Sequence, residues 1–157
     1  TDAVPCGVSY GAIGGTMEYP KEDIIWPTVV DIAKPYYEAM QQHKLLIQHC
    51  SSCQTSLPPA QKVCDECGGN ELEWFEAKGT GVIYSYVVFH RSFHPYYDDK
   101  IPYTVALVEL TEGPRVMGHI VASDGQPYQV GTAVRAHFKK IDKKNELLYF
   151  KLDGEEH

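Results

Sequence analysis

The chain has 157 residues, 43% of them hydrophobic, with 14 Lys and Arg against 21 Asp and Glu, giving a net charge of −7. That composition suits a soluble globular protein with a core of its own, and the acidic excess argues against one whose main work is gripping nucleic-acid phosphates. No apolar run reaches the roughly 18 residues that a membrane-spanning helix needs.

No basic stretch followed by an apolar segment opens the sequence, so no secretory signal is expected. Four cysteines at metal spacing plus one odd Cys6 fit a reducing cytoplasm better than a disulfide framework. The 11 tyrosines point to wet amphipathic surfaces such as an interface or a ligand groove.

Residues 1–33 are expected to form an extended N-terminal arm. Gly11-Ala12-Ile13-Gly14-Gly15 lacks the glycine spacing and the strand–helix setting of a dinucleotide fingerprint. Ile24, Ile25 and Trp26, beside Pro27, are candidates for clipping the arm onto a partner or onto the body. Cys6 has no basic neighbour and reads as an inert thiol. Residues 34–77 are expected to hold a short helix and a metal ribbon. Pro35 sits in the helix's first turn, Tyr36, Tyr37, Ala39 and Met40 give it an apolar side, and it ends near Gln42-His43. Leu45-Leu46-Ile47 leads as a strand into the ribbon, and Leu72, Trp74 and Phe75 form the returning strand, with Leu72 and Trp74 facing one way.

Between these strands the chain reads CSSCQTSLPPAQKVCDEC, two C-x2-C pairs separated by ten residues. Each pair places two thiolates on one tight turn, and two such turns complete a tetrahedral S4 site at Cys50, Cys53, Cys64 and Cys67. Gly68 and Gly69 follow the second pair, where the turn calls for positive φ. Structural Zn2+ is the expected occupant; a rubredoxin-type iron site or two disulfides are the other readings of the spacing. Four thiolates leave no open coordination position, so the metal is not expected to be catalytic.

Residues 78–157 are read as β. Gly79-Thr80-Gly81 introduces Val82–Phe89, followed by Tyr103–Leu110, Arg115–Val121, Ala133–Ile141 and Leu147–Leu152, with turns at Glu112-Gly113-Pro114 and Asp142-Lys143-Lys144-Asn145. Five short strands with turn signals predict a mainly β fold, with a five-stranded OB-type barrel leading and a β-sandwich competing.

In the loop after the first barrel strand, His90, Arg91, Phe93, His94, Tyr96 and Tyr97, with Tyr103 at the next strand's start, are candidates for contact with an anionic, partly apolar ligand or with a partner. Arg suits phosphate and aromatic rings suit an acyl or pantetheine chain; an ordinary barrel loop covering a core edge is the alternative. Arg135, Lys139, Lys140, Lys143 and Lys144 form a basic stretch, read as a solvated hairpin tip or a local phosphate contact. No nucleophile–base–orienter set, nucleophile elbow or phosphate loop stands out, which argues against self-sufficient catalysis.

A Pro-Tyr-Tyr-Glu-Ala helix leads through Leu45-Leu46-Ile47-Gln48-His49 to CSSC, LPPAQKVCDECGG, Leu72-Glu73-Trp74, Gly79-Thr80-Gly81-Val82-Ile83-Tyr84-Ser85, His90-Arg91, and Ile101-Pro102-Tyr103-Thr104-Val105-Ala106-Leu107-Val108-Glu109-Leu110. Over about residues 33–152 this ordered run resembles the DUF35 family, acyl-CoA-associated proteins with a rubredoxin-like zinc ribbon and an OB-fold. The resemblance implies a small subunit joined to a thiolase-superfamily protein, or to a hot-dog-fold hydratase, with the catalytic Cys and His on the large partner and a CoA thioester as substrate of the complex. All four ribbon cysteines are kept here, whereas some members have lost them. The long arm is most similar to that of members serving benzoylsuccinyl-CoA thiolases in anaerobic toluene degradation. The expected function is therefore a non-catalytic subunit of a thiolase; an aldolase or enoyl-CoA hydratase subunit and a nucleic-acid-binding module are the alternatives.

Overall fold

The computed structural model describes residues 28–122, 126–142 and 145–153. The expected arm with Cys6, Ile24, Ile25 and Trp26, and the tip residues Lys143 and Lys144, lie outside them.

A 3-10 turn at Asp31–Ala33 runs directly into helix α1, Lys34–Met40. The last residues assigned to the extended arm are thus wound, closed by the Ala33 amide on the Val30 carbonyl. Pro35 lies in the first turn of α1, where its missing N–H costs no helical bond. Ala39 and Met40 are buried, as the apolar side of the helix requires. The helix stops after two turns: Lys44 donates back to the Ala39 carbonyl, and His43 adopts φ 58°.

Strands β1 (Leu46–Cys50), β2 (Ser56–Leu57) and β3 (Leu72–Glu76) form an antiparallel sheet in the order β2-β1-β3. Strand β2, only two residues long, lies inside the spacer between the cysteine pairs, where turn chemistry hides it from a sequence reading. Period two divides the sheet between two cores. Ile47, opposite Phe75, faces the main core, whereas Cys50, opposite Leu72, faces the metal side.

Five strands follow: β4 (Thr80–Phe89), β5 (Tyr103–Leu110), β6 (Arg115–Val121), β7 (Ala133–Lys140) and β8 (Glu146–Leu152). They close as β4-β5-β6-β8-β7, with β6 and β8 parallel and the other pairs antiparallel. A closed five-stranded barrel of this order is the OB-type fold and rules out the sandwich. Along β5, Thr104, Ala106, Val108 and Leu110 are buried while the alternate residues face outward. Closure depends on Gly81: a Cβ there would run into the Glu109 carbonyl oxygen and approach Val108 Cγ1 to 2.9 Å. Three residues on, the β4–β5 register shifts at Tyr84, a bulge that bends the long strand around the barrel.

One core runs through helix, ribbon and barrel. Met40, Leu45 and Ile47 pack in the same cluster as Ile83, Val108 and Phe150. The ribbon therefore rests on the barrel through β1, and Cys50 lies on the far face of that strand.

A candidate metal centre and an aromatic groove

The two cysteine turns are built alike. In the first, the Gln54 amide donates to the Cys50 carbonyl at 2.8 Å and the Cys50 amide to the Thr55 carbonyl at 2.9 Å. In the second, Gly68 donates to Cys64 at 2.9 Å and Cys64 to Gly69 at 2.7 Å. The residue after the second cysteine of each pair is left-handed, Gly68 at φ 72° and Gln54 at φ 63°. Glycine meets that demand as expected from the sequence; in the first turn a glutamine does so, its side-chain amide held by the Ser51 carbonyl at 2.9 Å.

This geometry brings all four Sγ atoms within 4.8 Å of one another. Cys50 Sγ lies 3.7 Å from Cys67 Sγ, and Cys53 Sγ 3.6 Å from Cys64 Sγ. Sulfurs bound tetrahedrally about 2.3 Å from one zinc stand about 3.8 Å apart, so the set has the right span. Its protonation chemistry agrees. Hydrogen bonds from the Thr55 hydroxyl and amide favour the Cys53 thiolate and pull its pKa down to about 6. At Cys67 the Gly69 amide acts the same way, but the Cys53 and Cys50 sulfurs outweigh it and push the thiol up to about 12. Four thiolates cannot share this space without a cation, and a divalent metal supplies one. His49 takes no part: its ring bonds Gln54 Oε1 at 3.1 Å and stands edge-on to Phe75.

A second feature lies on the outside of the barrel. A groove of about 320 Å³ is lined by Tyr97, Lys100, Tyr103, His119, Tyr128 and Tyr149, among others. Its rings form a ladder: Tyr97 stacks on Tyr103 at 4.9 Å, and His119 on Tyr149 at 4.9 Å, with Tyr103 and His119 5.6 Å apart. Register explains the His119–Tyr149 stack, because His119 on β6 faces Tyr149 on β8. Lys139 stands over the Tyr149 ring at 5.3 Å. Burial, and then Lys139, push the His119 pKa down, so its ring stacks as the neutral imidazole near neutral pH. Burial, with Tyr96 and Tyr97 next, pushes the Tyr149 phenol up to about 12.

The residues singled out in the 90–103 loop divide. Tyr97 and Tyr103 enter the groove. Tyr96 meets Tyr97 edge-on, and Lys100 stands 3.9 Å over the Tyr96 ring. His94 works within the loop, accepting the Tyr96 amide on Nδ1 at 3.2 Å. His90, Arg91 and Phe93 stand apart from the groove lining; Phe93 is 76% exposed, with the Arg91 guanidinium 5.9 Å from its ring. His119 and Tyr149 escaped the sequence reading. The outward positions of β6 and β8 carried their signal, but only the parallel β6–β8 pairing shows that they meet.

Residues 38–73 match the family model of the ChsH2 rubredoxin-like zinc ribbon domain, and residues 74–139 that of the ChsH2 C-terminal OB-fold domain. A DUF35 domain-containing scaffold protein of Methanothermobacter thermautotrophicus is 34% identical over 107 residues, which are 68% of this chain and 80% of that protein. The chain belongs to the DUF35 family. As a DUF35 protein it carries a zinc ribbon whose four cysteines are positioned for a metal, followed by an OB barrel. It is 37% identical over 116 residues, 74% of its own length, to a probable enoyl-CoA hydratase alpha subunit of Thermomonospora curvata, and spans only 36% of that longer protein. Among solved structures, a chain of an Ltp2-ChsH2(DUF35) aldolase superposes with TM-score 0.72 at 35% identity, covering 81% of this chain and 98% of that one. A DUF35 protein of unknown function from Sulfolobus solfataricus shares the fold, with TM-score 0.56 at 18% identity, covering 78% of this chain and 86% of that one.

Proposed function

We propose that this DUF35 chain is a non-catalytic subunit of a heteromeric acyl-CoA enzyme, docked on a thiolase-superfamily subunit that supplies the reacting groups. The observation that carries this reading is the likeness to DUF35 scaffold proteins over most of their length, 80% in the Methanothermobacter protein. The ribbon fits the role: a complete S4 shell braces a surface and offers no position for substrate.

In the thiolase form of the proposal, a cysteine of the large subunit attacks the keto carbon of a β-keto acyl-CoA such as benzoylsuccinyl-CoA. The carbon–carbon bond breaks, the leaving CoA ester carbanion takes a proton, and the acyl group passes from the cysteine to the thiol of free CoA. His90, Arg91, Phe93, His94, Tyr96, Tyr97 and Tyr103 are proposed to border the CoA and acyl entrance of the assembled site. A second reading keeps the scaffold role and changes the reaction to aldol cleavage or enoyl-CoA hydration. The aldolase chain at 35% identity and the hydratase alpha subunit at 37% favour it.

Purification of the tagged chain from its native source, with mass-spectrometric identification of the large subunit, tests both. The complex is then assayed with a β-keto acyl-CoA plus CoA, a β-hydroxy acyl-CoA and an enoyl-CoA. Thiolysis selects the first reading, and aldol cleavage or hydration selects the second. The chain alone is expected to turn over none of these substrates. Turnover by the isolated chain overturns the non-catalytic assignment.

A further inference from the structure

Among the described residues, strand β4 is paired on both edges only in its first part. Its pairing with β7 covers Thr80–Val82, and the bonds joining Ile83 to Gly131 and Thr132 extend that contact by one residue. Beyond the bulge, Ser85–Phe89 pair with β5 alone among the described residues. Among the described residues, the second edge of this stretch therefore presents a row of backbone donors and acceptors about 17 Å long, the length of an ordinary strand.

An apolar face adjoins that edge. Val87, Phe89, Val105, Leu107 and Met117 line a shallow groove of about 330 Å³ whose bordering residues include no charged side chain. Register places Val87 opposite Val105 and Leu107 opposite Met117, so these side chains form one continuous patch across three strands. Val87 is 58% exposed and Met117 68%. A β-branched and aromatic edge strand beside an uncharged face is the surface that soluble proteins cover or blunt, because it templates pairing. Here neither a charge nor a proline interrupts Ser85–Phe89.

We propose that Ser85–Phe89 of β4 is a strand-addition site for the large subunit, resting on the scaffold reading above. The occupant is an extended segment of that subunit with apolar side chains at alternate positions. Its backbone pairs with β4, and its apolar residues cover Val87, Leu107 and Met117. The unpaired backbone asks for a strand, and the uncharged patch asks for apolar side chains on it. A second copy of this chain fits less well. Two molecules of charge −7 repel each other, and edge-to-edge pairing between copies would leave both apolar faces open to water.

The test uses the complex with the large subunit identified by co-purification. Val87→Lys and Met117→Lys alter exposed side chains and should leave the melting temperature and metal content of the free chain unchanged. Each is expected to weaken binding of that subunit by about tenfold or more, as loss of a central apolar contact does. Val130→Lys, at another exposed apolar position (60%) outside the groove, should not. Hydrogen exchange should slow at the outward-facing amides of Ser85–Phe89 in the complex. Folded Val87→Lys and Met117→Lys chains that bind like the wild type overturn the site while leaving the scaffold reading intact. Unchanged exchange at Ser85–Phe89 overturns strand addition, even where the lysine variants bind weakly. Failure of the wild-type chain to hold any large subunit overturns the scaffold reading and this inference with it.

Discussion

Gln48 and Gln61 are locked together side chain to backbone. Gln48, 2% exposed on β1, donates from Nε2 to the Gln61 carbonyl at 3.2 Å and accepts the Gln61 amide on Oε1 at 2.6 Å. One buried amide thus satisfies both backbone groups of a residue in the spacer between the cysteine turns, and fixes that spacer against the sheet.

Replacing Gln48 with Ala should therefore cost more than a surface change. It removes two hydrogen bonds and leaves backbone groups poorly satisfied, an expected loss of about 2–3 kcal/mol. Thermal melting and zinc-affinity titration should move together, because the spacer positions Cys64. A Gln48→Ala chain with wild-type melting and zinc affinity would show that the spacer holds its place unaided.

Metal removal should act on the ribbon first. Cys64 is 1% exposed and packs with Cys50, Leu57 and Leu72 in a cluster too small to hold without the ion. Chelation, or Cys64→Ser, should abolish stoichiometric zinc and expose the β2-β1-β3 sheet to proteolysis. Barrel circular dichroism should persist longer on heating. Retention of protease resistance after complete zinc loss would remove the structural role of the metal.

Gly81→Ala should destabilise the barrel by about 3 kcal/mol, near the upper end of ordinary overpacking, because the added methyl meets backbone rather than a flexible side chain. Gly113→Ala is the comparison. No atom lies within 4 Å of its added Cβ, but its φ of 108° makes the change one of backbone strain alone. Equal melting temperatures for Gly81→Ala and the wild type would contradict the close β4–β5 approach.

Acid should weaken the fold partly through His119. Its folded pKa lies below the ordinary 6.5, chiefly by burial and then by Lys139. The unfolded chain then binds more protons, so this contribution is fully present above about pH 6.5 and is lost as pH falls through the lowered folded value. His137, lowered by burial and then by Lys151, His43 and Lys139, acts with the same sign. His119→Phe keeps a ring against Tyr149 and removes the titration. The drop in melting temperature between about pH 7.5 and 5 should be smaller in that variant than in the wild type. Zinc loss at low pH is common to both chains and cancels in the comparison. An identical drop would exclude His119 as a source of acid sensitivity.

How much was legible depended on whether the partners are local in sequence. The ribbon's ligands could be named from Cys50 to Cys67 because each pair lies on one turn, and the two turns are joined by a spacer too short to carry them apart. The barrel strands were legible from β-branched and aromatic runs punctuated by glycine and turn residues. Gln48 was not, since a polar residue at a buried strand position reads as exposed until its backbone partner is known.

Spacing and alternation alone were enough to specify a cluster of four cysteines positioned for a metal and a five-stranded β domain, since both follow from short-range geometry. Only the folded barrel could decide that Ile47 joins Phe150 in one core. Barrel closure likewise brings Tyr97, Tyr103, His119 and Tyr149 into one groove and, among the described residues, leaves Ser85–Phe89 with an open edge. Those outcomes depend on the order in which distant strands pair and on where a bend in β4 ends its contact with β7. No local propensity encodes either.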